Sequence, residues 1–225
     1  MTNPQLTLEH LQKNLMYQGL VMVEMEVTWP AVKGSLGFNW YYRRDTAASV
    51  RYVYRSFYPE AVKQYRQAVQ DGYPFNGYVY NKKATPSYTG KQLVSLYTDT
   101  YEYAGGAHGL TTRKGDTWDL AVQLLPRKLS LGSLFQPGTP YRRIILEEIR
   151  RQALLNIAQG NDIYFEDVEK NIIQYFDPKN YYLVPEGVAV YYPLYSLAPY
   201  AAGILVFVID YSIFGDSLVY RLPGA

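Results

Sequence analysis

The sequence predicts an α+β fold in which mixed and antiparallel sheets carry packed helices. Three observations point there. Several short runs alternate apolar and polar residues with a period of two, Tyr141, Ile145, Ile149, Ala153 and Ile157 recur at i+4, and 25 of the 225 residues are tyrosine. Tyrosine has a flat apolar body with a polar tip, which suits half-buried strands and binding surfaces alike.

Taken in order, Leu20 to Trp29 sets Val21, Val23, Met25 and Val27 against Met22, Glu24, Glu26 and Thr28, a half-buried strand that Pro30 closes. Between Phe38 and Phe57, Trp40, Ala47, Val50, Tyr54 and Phe57 recur at three to four, a helical spacing. Pro59-Glu60 opens a second helical piece with the stripe Ala61/Val62, Tyr65 and Ala68/Val69, and Gly72 stops it. Three strands follow: Gly77 to Ala84, Lys91 to Tyr103, and Leu110 to Leu125 with a turn near Lys114-Gly115-Asp116. Leu129 to Phe135 reads as a connection turning at Gly132. Pro140 then opens the clearest helix, with Glu147 and Arg151 as a surface pair and Gly160 as its end. A shorter helix covers Phe165 to Tyr175. Tyr181 to Val184 and Val188 to Tyr192 flank Pro185-Glu186-Gly187 as a hairpin. Ile204 to Ile209 is apolar throughout, as for a strand buried inside a sheet. A soft boundary near Pro86 to Gly90 divides residues 1–88, an N-terminal α+β module, from 89–225, a larger C-terminal one closely packed on it.

Composition narrows the function. The formal net charge is +2, and the basic pairs Arg43-Arg44 and Arg142-Arg143 sit inside helical patterns, so they read as solvated helix faces and no nucleic-acid partner is expected. The absence of cysteine removes disulfides, thiolate metal sites and a cysteine nucleophile. With two histidines and no D-x-D-x-D-G loop, neither a metal nor another cofactor is expected. Residues 1–10 show no basic segment followed by an apolar run, so no secretory signal is read there, and His10 is placed in a frayed terminus. The longest apolar stretch, Ala201 to Ile209, is well short of the ~20 residues a membrane-spanning helix needs. The compartment stays open.

Two runs could carry function. In Tyr101-Glu102-Tyr103-Ala104-Gly105-Gly106-Ala107-His108-Gly109, three glycines surround one histidine between two strands, a loop needing positive φ or a close approach. The spacing matches neither phosphate-binding glycine pattern, and no helix follows. His108 admits three readings: a turn residue bonded to backbone, a binding contact, or a general base oriented by Glu102 or Asp119. The second run, Tyr191 to Gly203, holds two prolines and four tyrosines before a strand, a stiff aromatic loop that either folds over the core or presents Tyr192, Tyr195 and Tyr200 to a ligand. Together with Tyr101, Tyr103, Gly105, Gly106 and His108 these form the candidate ligand-binding set.

The two runs, with Thr117-Trp118-Asp119-Leu120, Leu131-Gly132-Ser133-Leu134-Phe135 and Asn180-Tyr181-Tyr182-Leu183 between them, resemble the RsiV-like bacterial domain family, whose C-terminal module has no assigned function. The segment from Val21 through the following helix is similar to the smaller module that precedes it, found in the non-catalytic region of a peptidoglycan deacetylase. The resemblance covers about Leu20 to Phe214 and implies two packed α+β parts, the second similar to a small subdomain of heat-shock cognate ATPases, without a nucleotide site. It implies extracytoplasmic binding, since members include a membrane-anchored anti-sigma factor whose outer domain binds lysozyme. The expected function is a non-catalytic binding module for a cell-wall glycan or a lysozyme-like protein. The alternatives are a glycan-directed hydrolase using His108 with a carboxylate, and a structural or spore protein without a small ligand.

Overall fold

The computed structural model describes residues 3–122, 125–161 and 163–222. Its first element is a strand, β1 (Leu6–Tyr17), which pairs antiparallel with β2 (Leu20–Val32), His10 lying opposite Thr28. The expected frayed terminus is therefore an edge strand. Only Leu15 of its twelve residues is buried, so its pattern resembles a solvated segment. Pro30 does not end β2: it stands opposite Leu8 and the strand runs on to Val32.

A single long helical rod follows, α1 (Leu36–Tyr52), one π-helical stretch (Val53–Phe57) and α2 (Tyr58–Asp71), ending at Gly72 with φ 74°. Its buried stripe is Phe38, Tyr42, Thr46, Ser49, Val53, Phe57 and Ala61. Of the stripe expected through Trp40, Ala47, Val50, Tyr54 and Phe57, Phe57 is buried and Val50 packs against the core, whereas Trp40 and Tyr54 face solvent at 61% and 40% exposure. Two small polar residues, Thr46 and Ser49, hold the core positions where hydrophobic spacing would place Ala47 and Val50.

The sheet grows to six strands in the order β1-β2-β3-β4-β5-β6, with β3 (Tyr78–Thr89), β4 (Leu93–Tyr103), β5 (Leu110–Asp119) and β6 (Arg127–Leu129); β2 and β3 run parallel and the other pairs antiparallel. The position between residues 88 and 89 lies near the end of β3, inside this sheet. One sheet face packs under the helical rod. Val23, Met25, Val27, Tyr78 and Tyr80 meet Val53, Phe57 and Ala61, and Ala84, Val94, Leu96 and Trp118 meet Phe38 and Tyr42. The ionic groups of this layer are ordered too. The almost fully buried Asp116 accepts from the Tyr42 hydroxyl at 3.0 Å and pairs with Lys128, while Lys114 donates to the Tyr41 hydroxyl at 2.8 Å.

β5 runs unbroken through Lys114-Gly115-Asp116, Gly115 standing opposite Tyr97. The glycine there answers a packing demand, because a Cβ on it would lie 1.9 Å from the Tyr181 carbonyl oxygen. The strand ends at Asp119, so Leu120 to Val122 of the expected span lie beyond it, and residues 123 and 124 lie outside the described residues.

The second sheet, β7 (Tyr181–Val184), β8 (Gly187–Tyr192) and β9 (Leu205–Asp210), is antiparallel, and Pro185-Glu186 forms its first turn as expected. β9 is an edge strand with Val206 and Val208 each 38% exposed, whereas all six residues of β8, the central strand, are buried. Its apolar run thus marks one covered face and one open face. α3 (Tyr141–Ala158) buries Ile145, Ile149 and Ala153, and α4 (Val168–Gln174) buries Val168 and Ile172 against this sheet. On the α3 surface Glu147 lies 3.9 Å from Arg143, and Arg151 pairs with Glu148, so the expected Glu147–Arg151 pair is replaced by its neighbours.

The two sheets are joined by polar side chains. Ser95 Oγ accepts from Leu183 N–H at 2.8 Å, and Arg113, held by a bidentate pair with Asp99 at 2.7 Å and lying 4.0 Å over the Tyr97 ring, reaches the Tyr182 hydroxyl of the small sheet at 3.5 Å. The Tyr191 hydroxyl accepts from Gly115 N–H at 3.2 Å and donates to the Arg113 carbonyl at 3.0 Å. It satisfies strand-edge groups that β6, pairing only with Thr117 to Asp119, leaves uncovered.

Candidate functional site

The glycine-rich loop between β4 and β5 and the tyrosine loop after β8 meet at the surface. Tyr200 reaches across 91 residues of sequence to donate its hydroxyl to the Gly109 carbonyl at 2.8 Å. The His108 ring lies on the Tyr200 ring, centroids 4.2 Å apart and planes 26° from parallel. Tyr195 continues the row at 5.7 Å from Tyr200, and it is half exposed. His108 Nδ1 sits 3.0 Å from the Gly109 carbonyl, which holds the imidazole in place.

The loop keeps its shape through two close approaches. Gly105 adopts φ +79°, and a Cβ there would meet Gln64 Oε1 of α2 at 2.8 Å. Gly109 lies under the Tyr101 ring, 2.3 Å from where a Cβ would stand, so Tyr101 acts as a lid on the loop base. Gly106 has open space around it. Tyr103 is half-buried, opposite Val79 in the sheet. On the other loop, Tyr195 itself takes φ +65°, a conformation uncommon for a residue with a Cβ. That turn brings its ring back toward Tyr200.

Other candidates lie elsewhere. Tyr192 is 1% exposed and gives its hydroxyl to the Ile172 carbonyl at 2.9 Å, because the period of β8 turns it inward with Val188 and Val190. It is therefore a core residue and not part of a surface row. The three groups of a general-base reading are dispersed. Glu102 accepts from the Tyr52 hydroxyl at 2.9 Å on the helical side of the sheet. Asp119 accepts from the Tyr220 hydroxyl at 3.0 Å near Arg127, nine residues along β5 from Leu110, or roughly 30 Å at ~3.3 Å per residue. Neither carboxylate is a hydrogen-bond partner of His108, which meets the Gly109 carbonyl and the Tyr200 ring. Among the described residues, no group of three or more His, Cys, Asp or Glu could hold a metal ion. No helix among them is long and apolar enough to cross a membrane.

A cleft of about 700 Å³ lies further along the joint between the sheets, with Lys114, Lys128, Lys179, Tyr141, Tyr181 and Tyr191 on its walls. Sequence reasoning did not point to it, since its walls come from five separated segments. Its two inner lysines are partly neutralised by the buried Asp116.

This architecture, with a helix-backed six-stranded sheet joined to a smaller antiparallel sheet, is found in proteins of known structure. Residues 21–111 match the family model described as deacetylase PdaC, and residues 132–212 match that of a protein of unknown function, DUF3298. Among solved structures, a DUF3298 family protein from Pseudomonas aeruginosa has a TM-score of 0.65 at 19% identity, covering 98% of each chain. A DUF3298 family member from Bacteroides fragilis also has a TM-score of 0.65, at 16% identity over 96% of this chain and 94% of its own. At such identities the likeness extends to the fold alone. No curated protein matches the chain.

Proposed function

We propose that the protein is a non-catalytic binding module for a cell-envelope glycan, with the row His108, Tyr200 and Tyr195 as its contact surface. The observation that carries this reading is the row itself: His108 stacked on Tyr200 and Tyr195 beside it, contributed by two loops, with His108 and Tyr195 exposed. A pyranose ring has a flat face of C–H groups that stacks on such a platform, and rings already fixed in place lose little conformational freedom on binding. Two further points support it. Residues 21–111 match a family model named for a deacetylase. The dispersal of His108, Glu102 and Asp119 favours recognition over hydrolysis, which needs an acid and a base held together across one bond.

The test is thermal unfolding with soluble peptidoglycan fragments and, in parallel, with lysozyme. A ligand at 100 times its Kd adds about 2.7 kcal/mol, a rise of roughly 5 to 10 °C in Tm for a chain of this length. A rise with the fragments supports the reading. A rise with lysozyme alone would reassign the surface to a protein partner, and no rise with either would overturn it.

A further inference from the structure

The outer face of the α1 rod carries a charge pattern that neither the fold nor the aromatic row uses. Counting 100° per residue, Trp40, Arg44, Ala47, Arg51 and Arg55 lie directly opposite the buried stripe of Phe38, Tyr42, Thr46, Ser49 and Val53, with Arg43 beside them. All six are exposed. Among the described residues none of these four arginines has a carboxylate within ion-pairing distance. The one acidic residue of α1, Asp45, turns toward the sheet and meets Lys82 Nζ at 2.5 Å. The chain as a whole carries +2, so four uncompensated arginines on one face leave the remainder at 2 − 4 = −2. The positive charge is focused on this helix.

Two large apolar side chains stand at one end of the same face. Leu36 is 67% exposed and Trp40 61%, and Arg44 rests 5.2 Å over the Trp40 ring. Neither covers any part of the core. A leucine and an indole one turn apart, followed by a row of arginines, match the requirements of the water–lipid boundary: the apolar pair enters the acyl edge, the indole N–H stays at headgroup level, and guanidinium groups take phosphates bidentately. The surface is convex and extends roughly 22 Å from Trp40 to Arg55 at ~1.5 Å per residue, with the small Ala47 and Ala48 leaving it smooth. That shape suits a flat lipid surface better than a strand of nucleic acid, which a groove would follow.

We infer that this face docks the protein on an anionic phospholipid surface, with Leu36 and Trp40 at the boundary and Arg43, Arg44, Arg51 and Arg55 on the lipid phosphates. The helix lies on one side of the six-stranded sheet, and Tyr195 and Tyr200 belong to the module joined to the other side, so docking leaves the aromatic row free.

The test is co-sedimentation of the whole chain with phosphatidylcholine vesicles, with and without phosphatidylglycerol, alongside inorganic polyphosphate as a soluble competitor. Binding is expected only with phosphatidylglycerol and weaker at high salt. The triple variant Arg44→Gln/Arg51→Gln/Arg55→Gln should lose roughly a hundredfold in partitioning, at about fivefold per arginine. Trp40→Phe should abolish the vesicle-induced blue shift of tryptophan emission. All substituted residues are exposed and without ionic partners, so an unchanged Tm accompanies these losses. Equal binding to both vesicle types, an unaffected triple variant, or binding to polyphosphate with none to vesicles would each overturn the inference.

Discussion

Gly115 lies directly against the backbone of Tyr181: a Cβ at Gly115 would stand 1.9 Å from the Tyr181 carbonyl oxygen. The contact presses the first strand of the small sheet onto the middle of β5, and it involves backbone on one side, which cannot rotate away.

Gly115→Ala is therefore expected to destabilise the protein by about 2 to 4 kcal/mol, as overpacking against a fixed wall does. At roughly 2 to 4 °C per kcal/mol the melting temperature falls by about 4 to 16 °C. Gly106→Ala, with nothing within 4 Å of the new methyl group, serves as the matched control and should shift Tm by little.

Removing one oxygen tests the neighbouring contact. Tyr191→Phe leaves Gly115 N–H and the Arg113 carbonyl without the hydroxyl that joins them, at a cost of about 1 to 3 kcal/mol in chemical denaturation. Tyr195→Phe, at a half-exposed hydroxyl, should cost close to nothing.

Arg113 is held between the sheets by Asp99 and by the Tyr97 ring. Asp99→Ala leaves a largely buried guanidinium without its counter-charge, and the expected loss is about 1.5 to 3 kcal/mol. Glu147→Ala removes an exposed pair at 3.9 Å and should be nearly silent, which urea unfolding of the two variants would show side by side.

Alkaline stability follows from the buried phenols. Burial pushes Tyr191 up to about 12 and raises Tyr192 and Tyr211 as well. The unfolded chain releases these protons near 10, so the native state binds protons more tightly above that point. Their contribution is complete below pH 10 and is lost as pH rises from 10 to 12. Melting temperatures measured across that window should fall, with phenolate absorbance rising in step, and Tyr191→Phe should fall less steeply than the wild type.

The sequence exposed some of this structure more readily than the rest, for physical reasons. α3 was legible because Ile145, Ile149 and Ala153 are both apolar and buried, so pattern and packing coincide. The β7–β8 hairpin was legible because Pro185-Glu186 has a local meaning. α1 misled because its core positions include Thr46 and Ser49, while Trp40 faces out. β1 was missed because an edge strand open to water on one side needs few apolar residues. Gly115 read as a turn because a glycine required by a neighbour's backbone looks the same in sequence as one required by φ. At the site, the glycine-rich loop and the tyrosine loop were each conspicuous, but the stacking of His108 on Tyr200 spans 92 positions, and the inward turn of Tyr192 is set by the register of β8.

The central claim is that the row of His108, Tyr200 and Tyr195 binds a glycan, and calorimetric titration of the folded protein with soluble peptidoglycan fragments tests it most directly. The account predicts saturable binding to the wild type, weakened about tenfold in Tyr195→Ala, since one stacked aromatic contributes about 1.4 kcal/mol, with Tm unchanged. Binding of equal strength in the Tyr195→Ala variant, or no heat of binding in the wild type, would contradict it.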